Sequence, residues 1–181
     1  MTTRTHARSV TALAFAAAAL VAAPAAAQTM APAAPPKMQT ALANDAGTLG
    51  EKFAGLAKVM AGKYDWKPGQ GVRSAGDVFN LIVMENKMLA ALLTGGAPPP
   101  RGGAPITDPA VMQEALTSSS TAVKTALAGL SDADLNAPVK IFGRDTTKQG
   151  AAMMLLGDQH EHLGQSIAYA RSNSVVPPWS K

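Results

Sequence analysis

From Met38 to Asn173, apolar residues recur at three- and four-residue steps in four long runs, with segments rich in proline, glycine and polar residues between them. A stripe of that period is buried most simply by a helix, and the breakers rule out one continuous helix. The first run, Met38 to about Lys63, carries Leu42, Leu49, Phe53, Leu56, Val59 and Met60, and "KYDWKPGQGVRS" ends it. Ser74, with Asp77 three residues on, reads as the N-cap of the second. That run holds Val78, Leu81, Ile82, Glu85, Leu89 and Leu92 and stops near Thr94. "GGAPPPRGGAP" is a surface loop. Asp108 before Pro109 starts the third run, which continues through Met112, Leu116, Val123 and Leu127. "SDADLNAPVKIFGRDTTKQ" is irregular, with "VKIF" as a short extended piece, and the fourth run covers about Thr146 to Asn173. The pattern predicts an all-α domain, a four-helix bundle.

The N-terminal segment has a different character. Arg4 and Arg8 precede "VTALAFAAAALVAA", an apolar run too short to cross a bilayer comfortably, and Ala25 and Ala27 place small residues before Gln28. This is the pattern of a Sec-type signal peptide over residues 1–27. A retained membrane helix fits less well, because "MAPAAPPKM" follows where a stop-transfer pattern would stand. Residues 28–37 read as a flexible leader and residues 38–181 as the folded domain. Removing 1–27 takes Arg4 and Arg8 away and lowers the formal net charge from +4 to +2. No basic cluster remains, and nucleic acid is not an expected partner. The absence of cysteine excludes disulfides, a thiolate nucleophile and a lipid-anchored N-terminus. The expectation is a periplasmic or secreted protein whose mature form has no stable membrane anchor.

Chemistry concentrates in "DQHEHLGQSIAYARSNSVVPPWSK", residues 158–181. At 100° per residue Asp158 and His162 share one helix face, extended by Gln165 and Tyr169. Two ligands one turn apart on a bundle helix suit a divalent metal; the same spacing also fits an Asp158–His162 pair on a hydrated face. Periodicity places His160 on the opposite side, in the stripe of Met153, Leu156, Leu163 and Ile167, where it would be a buried core histidine.

"YDWKPGQGVRSAGDVFN" and "DQHEHLGQSIAYARSNSVVPPWS" together resemble the DinB family of DinB/YfiT-like metalloenzymes, most of all its exported bacterial members. The resemblance spans residues 38–181 and implies an antiparallel four-helix bundle. It also implies a three-histidine metal site, with one ligand on the second helix and an HxxxH pair before the "GQ" of the last. Carried over, the pair falls on Asp158 and His162 and the second-helix ligand falls on Leu81. Besides His6 the chain has only His160 and His162, so one mature subunit cannot supply three histidines. Glu85, one turn beyond Leu81, would rebuild the set as Glu85, Asp158 and His162. Such a donor set suits Zn, Mn, Fe or Ni better than Cu. Against this, Glu85 also reads as a solvated residue near Lys87 and Lys52, and the sequence favours that reading.

Two functions follow: a divalent-metal protein of hydrolase or transferase type with an altered site, or a non-catalytic bundle with a binding or structural role. Some members of the resembling family use a metal to activate a low-molecular-weight thiol. No substrate or catalytic acid–base set is legible, and carriage of a ligand in an apolar cleft has no motif behind it. A homodimer is expected, because the last helix offers two faces flanked by Met154, Leu155 and Tyr169. Trp66 and Trp179 read as anchors for the connector and the tail, Gly164 as a point of close helix approach, Gln165 as a partner orienting His162, and Arg73 as a residue bonding carbonyls at the helix junction. Protein recovered from the periplasm should begin at Gln28 by intact mass; a membrane-bound chain still carrying Arg4 would overturn the processing and localisation together.

Overall fold

The computed structural model describes residues 36–100 and 102–180; the expected signal peptide and nearly all of the expected leader lie outside them. Helix α1 is Met38–Val59, α2 is Ala75–Thr94 and α3 is Pro109–Ala128. A single turn, α4 (Asp132–Leu135), then leads through strands β1 (Pro138–Ile141) and β2 (Arg144–Thr147) into α5, Lys148–Ser172. The expected all-α bundle is therefore formed by α1, α2, α3 and α5.

Local chemistry sets the ends. Ser74 and Asp77 form a reciprocal capping box at the start of α2: Asp77 N–H donates to Ser74 Oγ at 3.2 Å, and Ser74 N–H donates to Asp77 Oδ2 at 3.0 Å. Gly95 closes that helix with a left-handed φ of 74°. Asp108 Oδ1 accepts from the N–H groups of Ala110 and Val111, with Pro109 in the first turn of α3. The expected extended piece at "VKIF" is one arm of an antiparallel hairpin that pairs Ile141 with Arg144. Its two-residue turn, Phe142 and Gly143, has φ of 49° and 76°, the sign pattern of a type I′ turn. The second arm, "RDTT", has no buried face and so no apolar alternation to mark it as a strand.

In the bundle α1 and α2 each pack on both α3 and α5, so α1 and α2 stand across a diagonal. Directions follow from side-chain neighbours. Gly47 faces Lys124 and Gly50 faces Ser120, which makes α1 and α3 antiparallel. Asn80 hydrogen-bonds both backbone groups of Ile106, at 3.0 and 2.8 Å, so the starts of α2 and α3 lie side by side and the two run parallel. Lys148 Nζ donates to the Leu93 carbonyl at 2.6 Å, placing the start of α5 at the end of α2. Residues 60–74 and 129–147 thus join antiparallel helices, and residues 95–108 cross the length of the bundle between two parallel ones.

The core contains Phe53, Leu56, Phe79, Ile82, Met112 and Leu155, each fully buried or within 1% of it. A polar layer crosses it. Gln159 Nε2 donates to Asn86 Oδ1 at 3.0 Å, and Asn86 Nδ2 donates to Ser119 Oγ at 3.3 Å, tying α5, α2 and α3 together. This layer corrects the placement of His160. The heptad positions of α5 facing the core are Ala152, Gln159 and Ser166 with Leu156, Leu163 and Ala170, all buried. Gln159, not His160, fills the central place. The His160 side chain is 52% exposed and pairs with Asp45 of α1 at 3.0 Å.

Other landmarks sort themselves by contact. Trp66 meets Tyr169 edge to face with ring centroids 5.2 Å apart. Trp179 lies near Gly55 and under Lys52 Nζ, which is 5.8 Å from the ring. Gly164 faces open space, so the expected close approach is not there; it occurs at Gly50, where a Cβ would run into the Ser120 side chain. Leu155 and Tyr169 are buried within this chain's own bundle, and the spare apolar surface of α5 reduces to Met153 and Met154.

Candidate metal centre

Helix α2 carries Glu85 on the same stripe as Val78, Ile82 and Leu89, and burial of that stripe takes the carboxyl inside: Glu85 is only 5% exposed. The expected solvated role near Lys87 and Lys52 does not hold. Lys52 lies over Trp179, Lys87 is exposed, and no basic side chain pairs with Glu85 among the described residues. The stripe outweighs the charge because Val78, Ile82 and Leu89 cannot be buried without carrying position 85 along.

Across from it, α5 presents Asp158 and His162. His162 Nε2 stands 3.5 Å from Asp158 Oδ2, with side chains 16% and 44% exposed respectively. One ligand atom from each of Glu85, Asp158 and His162 lies within 4.8 Å of the other two. All three positions singled out from the sequence converge at one point, and Leu81, where the family resemblance puts a ligand, lines the adjoining cleft instead.

The electrostatics ask for a positive charge. The Glu85 carboxyl is raised from 4.5 to about 8, chiefly by burial and then by the neighbouring Asp158 carboxyl; Arg73 opposes the shift. No N–H or hydroxyl donor of the described residues reaches its buried Oε2, and the neighbouring Asp158 carboxyl can pair with it only when the two share a proton. A buried, unpartnered carboxylate oxygen is costly, and coordination of a cation removes that cost.

A line of hydrogen bonds fixes the imidazole. The Arg73 backbone carbonyl can only accept, so the Tyr169 hydroxyl donates to it, at 3.2 Å. Gln165 Nε2 donates to the Tyr169 oxygen at 2.7 Å, which turns Gln165 Oε1 toward His162 Nδ1, 2.8 Å away. His162 Nδ1 therefore carries the hydrogen, and the neutral ring offers the lone pair of Nε2 on the side of Asp158. That is the tautomer a metal ligand needs. The expected role of Gln165 is met. Arg73 joins through its backbone carbonyl, and Tyr169, placed by sequence only on the same stripe, closes the line.

These donors fit a divalent cation: two carboxylates and one preset imidazole, with one carboxylate oxygen otherwise orphaned. Residues 50–166 match the family model of the DinB superfamily. Among solved structures the chain resembles a DinB-like protein from Bacillus subtilis, with 19% identity, TM-score 0.62, and coverage of 74% of this chain and 92% of that one. It also resembles a DinB-like protein from Bacillus cereus, with 19% identity, TM-score 0.63, and coverage of 74% and 91%. No curated protein matches the sequence significantly.

The raised carboxyl gives a pH signature with a definite sign. In metal-free protein the Glu85 contribution to stability is complete below pH 4.5 and is lost as pH rises toward 8 and through it, because the folded state keeps a proton that the unfolded state releases. Denaturant midpoints followed across that window should fall more steeply for the wild type than for Glu85→Gln. Parallel curves for the two proteins would show that Glu85 titrates normally.

Proposed function

The chain belongs to the DinB superfamily, and from that premise we propose that it binds one divalent metal ion through Glu85, Asp158 and His162 and serves a hydrolase- or transferase-type reaction. The observation that carries this reading is the convergence of those three side chains around a buried carboxylate oxygen with no other partner. A cation held there supplies Lewis acidity for a water or other small nucleophile. The chain's own residues do the rest. Glu85 holds a proton at neutral pH while no cation is present and gives it up when one arrives. Asp158 brings the second negative charge. His162 offers Nε2, held in register by Gln165 and Tyr169. A set with two carboxylates and one imidazole favours Mn, Fe or Zn over softer ions.

The competing reading, a non-catalytic bundle, draws on Leu81: a leucine stands at a ligand position of the family pattern, and only Glu85, one turn away, can take its place. Export is part of the proposal and rests on the N-terminal Arg4, Arg8 and Ala25-x-Ala27 pattern. So does pairing of two chains, supported by the exposure of Met153 and Met154 on α5. Light scattering at micromolar concentration should return twice the monomer mass, and a clean monomer would remove pairing from the proposal.

The metal is tested directly. Protein loaded with Zn²⁺ or Mn²⁺ and dialysed should retain about one ion per chain by elemental analysis, as a single coupled site requires. His162→Ala should abolish retention, Asp158→Ala and Glu85→Gln should weaken it, and His160→Ala should leave it unchanged. Gln165→Leu should cost about 10- to 100-fold in affinity by releasing the ring. A helical, folded protein that retains no metal under any loading would leave the non-catalytic reading.

A further inference from the structure

A cleft of about 680 Å³ runs along the outer side of α2, between the proline-rich crossover and the tip of the β1–β2 hairpin. Leu81, Met84 and Met88 line it from the helix, Pro98 and its neighbours from the crossover, and Phe142 from the hairpin tip. Glu85 is the one ionisable side chain among the described lining residues, and it is also a member of the metal triad. The cleft therefore adjoins the candidate centre through a shared residue. Its size falls in the range of small-molecule sites, about 300–1,000 Å³, and its lining has their usual make-up: apolar walls and very few polar groups.

Phe142 adds a separate observation. It sits at the first turn position with φ of 49°, where asparagine, aspartate or glycine is the residue of low cost, and it is 66% exposed. A bulky aromatic held in a left-handed conformation and left bare is favoured neither by turn chemistry nor by burial within this chain. Met84, 45% exposed on the helical side of the same cleft, is left bare in the same way. Both side chains lose exposed apolar surface if an apolar body enters the cleft.

We propose that this cleft binds a small, mainly apolar molecule bearing a single metal-ligating head group, with its body against Met84, Met88 and Phe142 and its head at Glu85. The placement of the head rests on the metal-binding reading above; the apolar body rests on the cleft alone. The inference gives the proposed function a substrate class, and Leu81 becomes part of the wall that receives it.

Acetohydroxamic and octanohydroxamic acid, which share a head and differ in tail, separate the two halves by calorimetric titration into the full chain, zinc-loaded or treated with chelator. Zinc-loaded protein should bind the octanoyl probe at least about tenfold more tightly than the acetyl one, since each buried methylene adds affinity. Met84→Ser and Phe142→Ser should cut that ratio severalfold without changing zinc content, and both residues are exposed enough for the variants to fold. Equal affinities for the two probes in protein that holds zinc would overturn the cleft and leave the metal reading standing. Protein that holds no zinc, yet binds the octanoyl probe in a way that Met84→Ser weakens, would support the apolar half and sink the metal reading. Binding of neither probe in either form would overturn the proposal.

Discussion

Two carboxyl groups and one imidazole, brought within 4.8 Å of one another at the edge of a helical core, form an arrangement that cannot stay charged and unpartnered. With Glu85 almost fully buried, ionising it beside Asp158 costs both desolvation and like-charge repulsion. Either a proton or a cation has to balance the site. The fold holds the pair together regardless, because Glu85 belongs to the buried stripe of α2 and Asp158 to the helix packed against it. Replacing position 85 by an apolar residue would suit the core better. Its carboxyl is therefore the feature of the bundle that packing alone does not explain.

The two motifs that give the chain its family likeness meet through this site. The connector between α1 and α2 supplies the Arg73 carbonyl and the Trp66 ring, and both act on Tyr169 of α5. Tyr169 then sets Gln165, and Gln165 sets His162. A motif that contains no ligand thus decides which nitrogen of the imidazole is free. Beneath this line the Asn86–Gln159–Ser119 layer fixes α5 against α2, each amide lying next in sequence to a ligand. The ligand positions inherit their register from neighbours whose own hydrogen bonds are satisfied.

How far the sequence carries the reader follows from which residues are apolar. The helices of the bundle were legible because their stripes are continuous, and the Ser74 and Asp108 caps marked two starts. The hairpin was half legible, since "RDTT" has neither a buried face nor a strand's apolar alternation. His160 was misplaced because the true core position beside it, Gln159, is polar, and periodicity slid the stripe by one residue. Glu85 was read as solvated for the same reason in reverse: an ionisable side chain on an apolar stripe is usually at the rim, and only the packed helix shows that it is not. The Tyr169–Arg73 carbonyl contact had no sequence signal, because a backbone acceptor has no residue type.

The direction of the helices links the fold to the cleft. Because α2 and α3 run parallel, the chain must return along the bundle between them. A 20-residue helix spans about 30 Å, whereas the extended chain of residues 95–108 reaches roughly 45 Å. A crossover of that length suffices for the return, the prolines along it favour extended backbone without N–H donors, and its hydrogen bonds to α2 are made near its ends, at Gly96 and Ile106. It is thereby laid along the outer side of α2, where it faces Leu81, Met84 and Met88 without hydrogen-bonding to them. A short turn between antiparallel helices would leave that side of α2 open to water. The connection that two parallel neighbours require thus lines an apolar space beside Glu85, and a leucine at position 81 keeps that wall apolar where a histidine would have brought a polar ring into it.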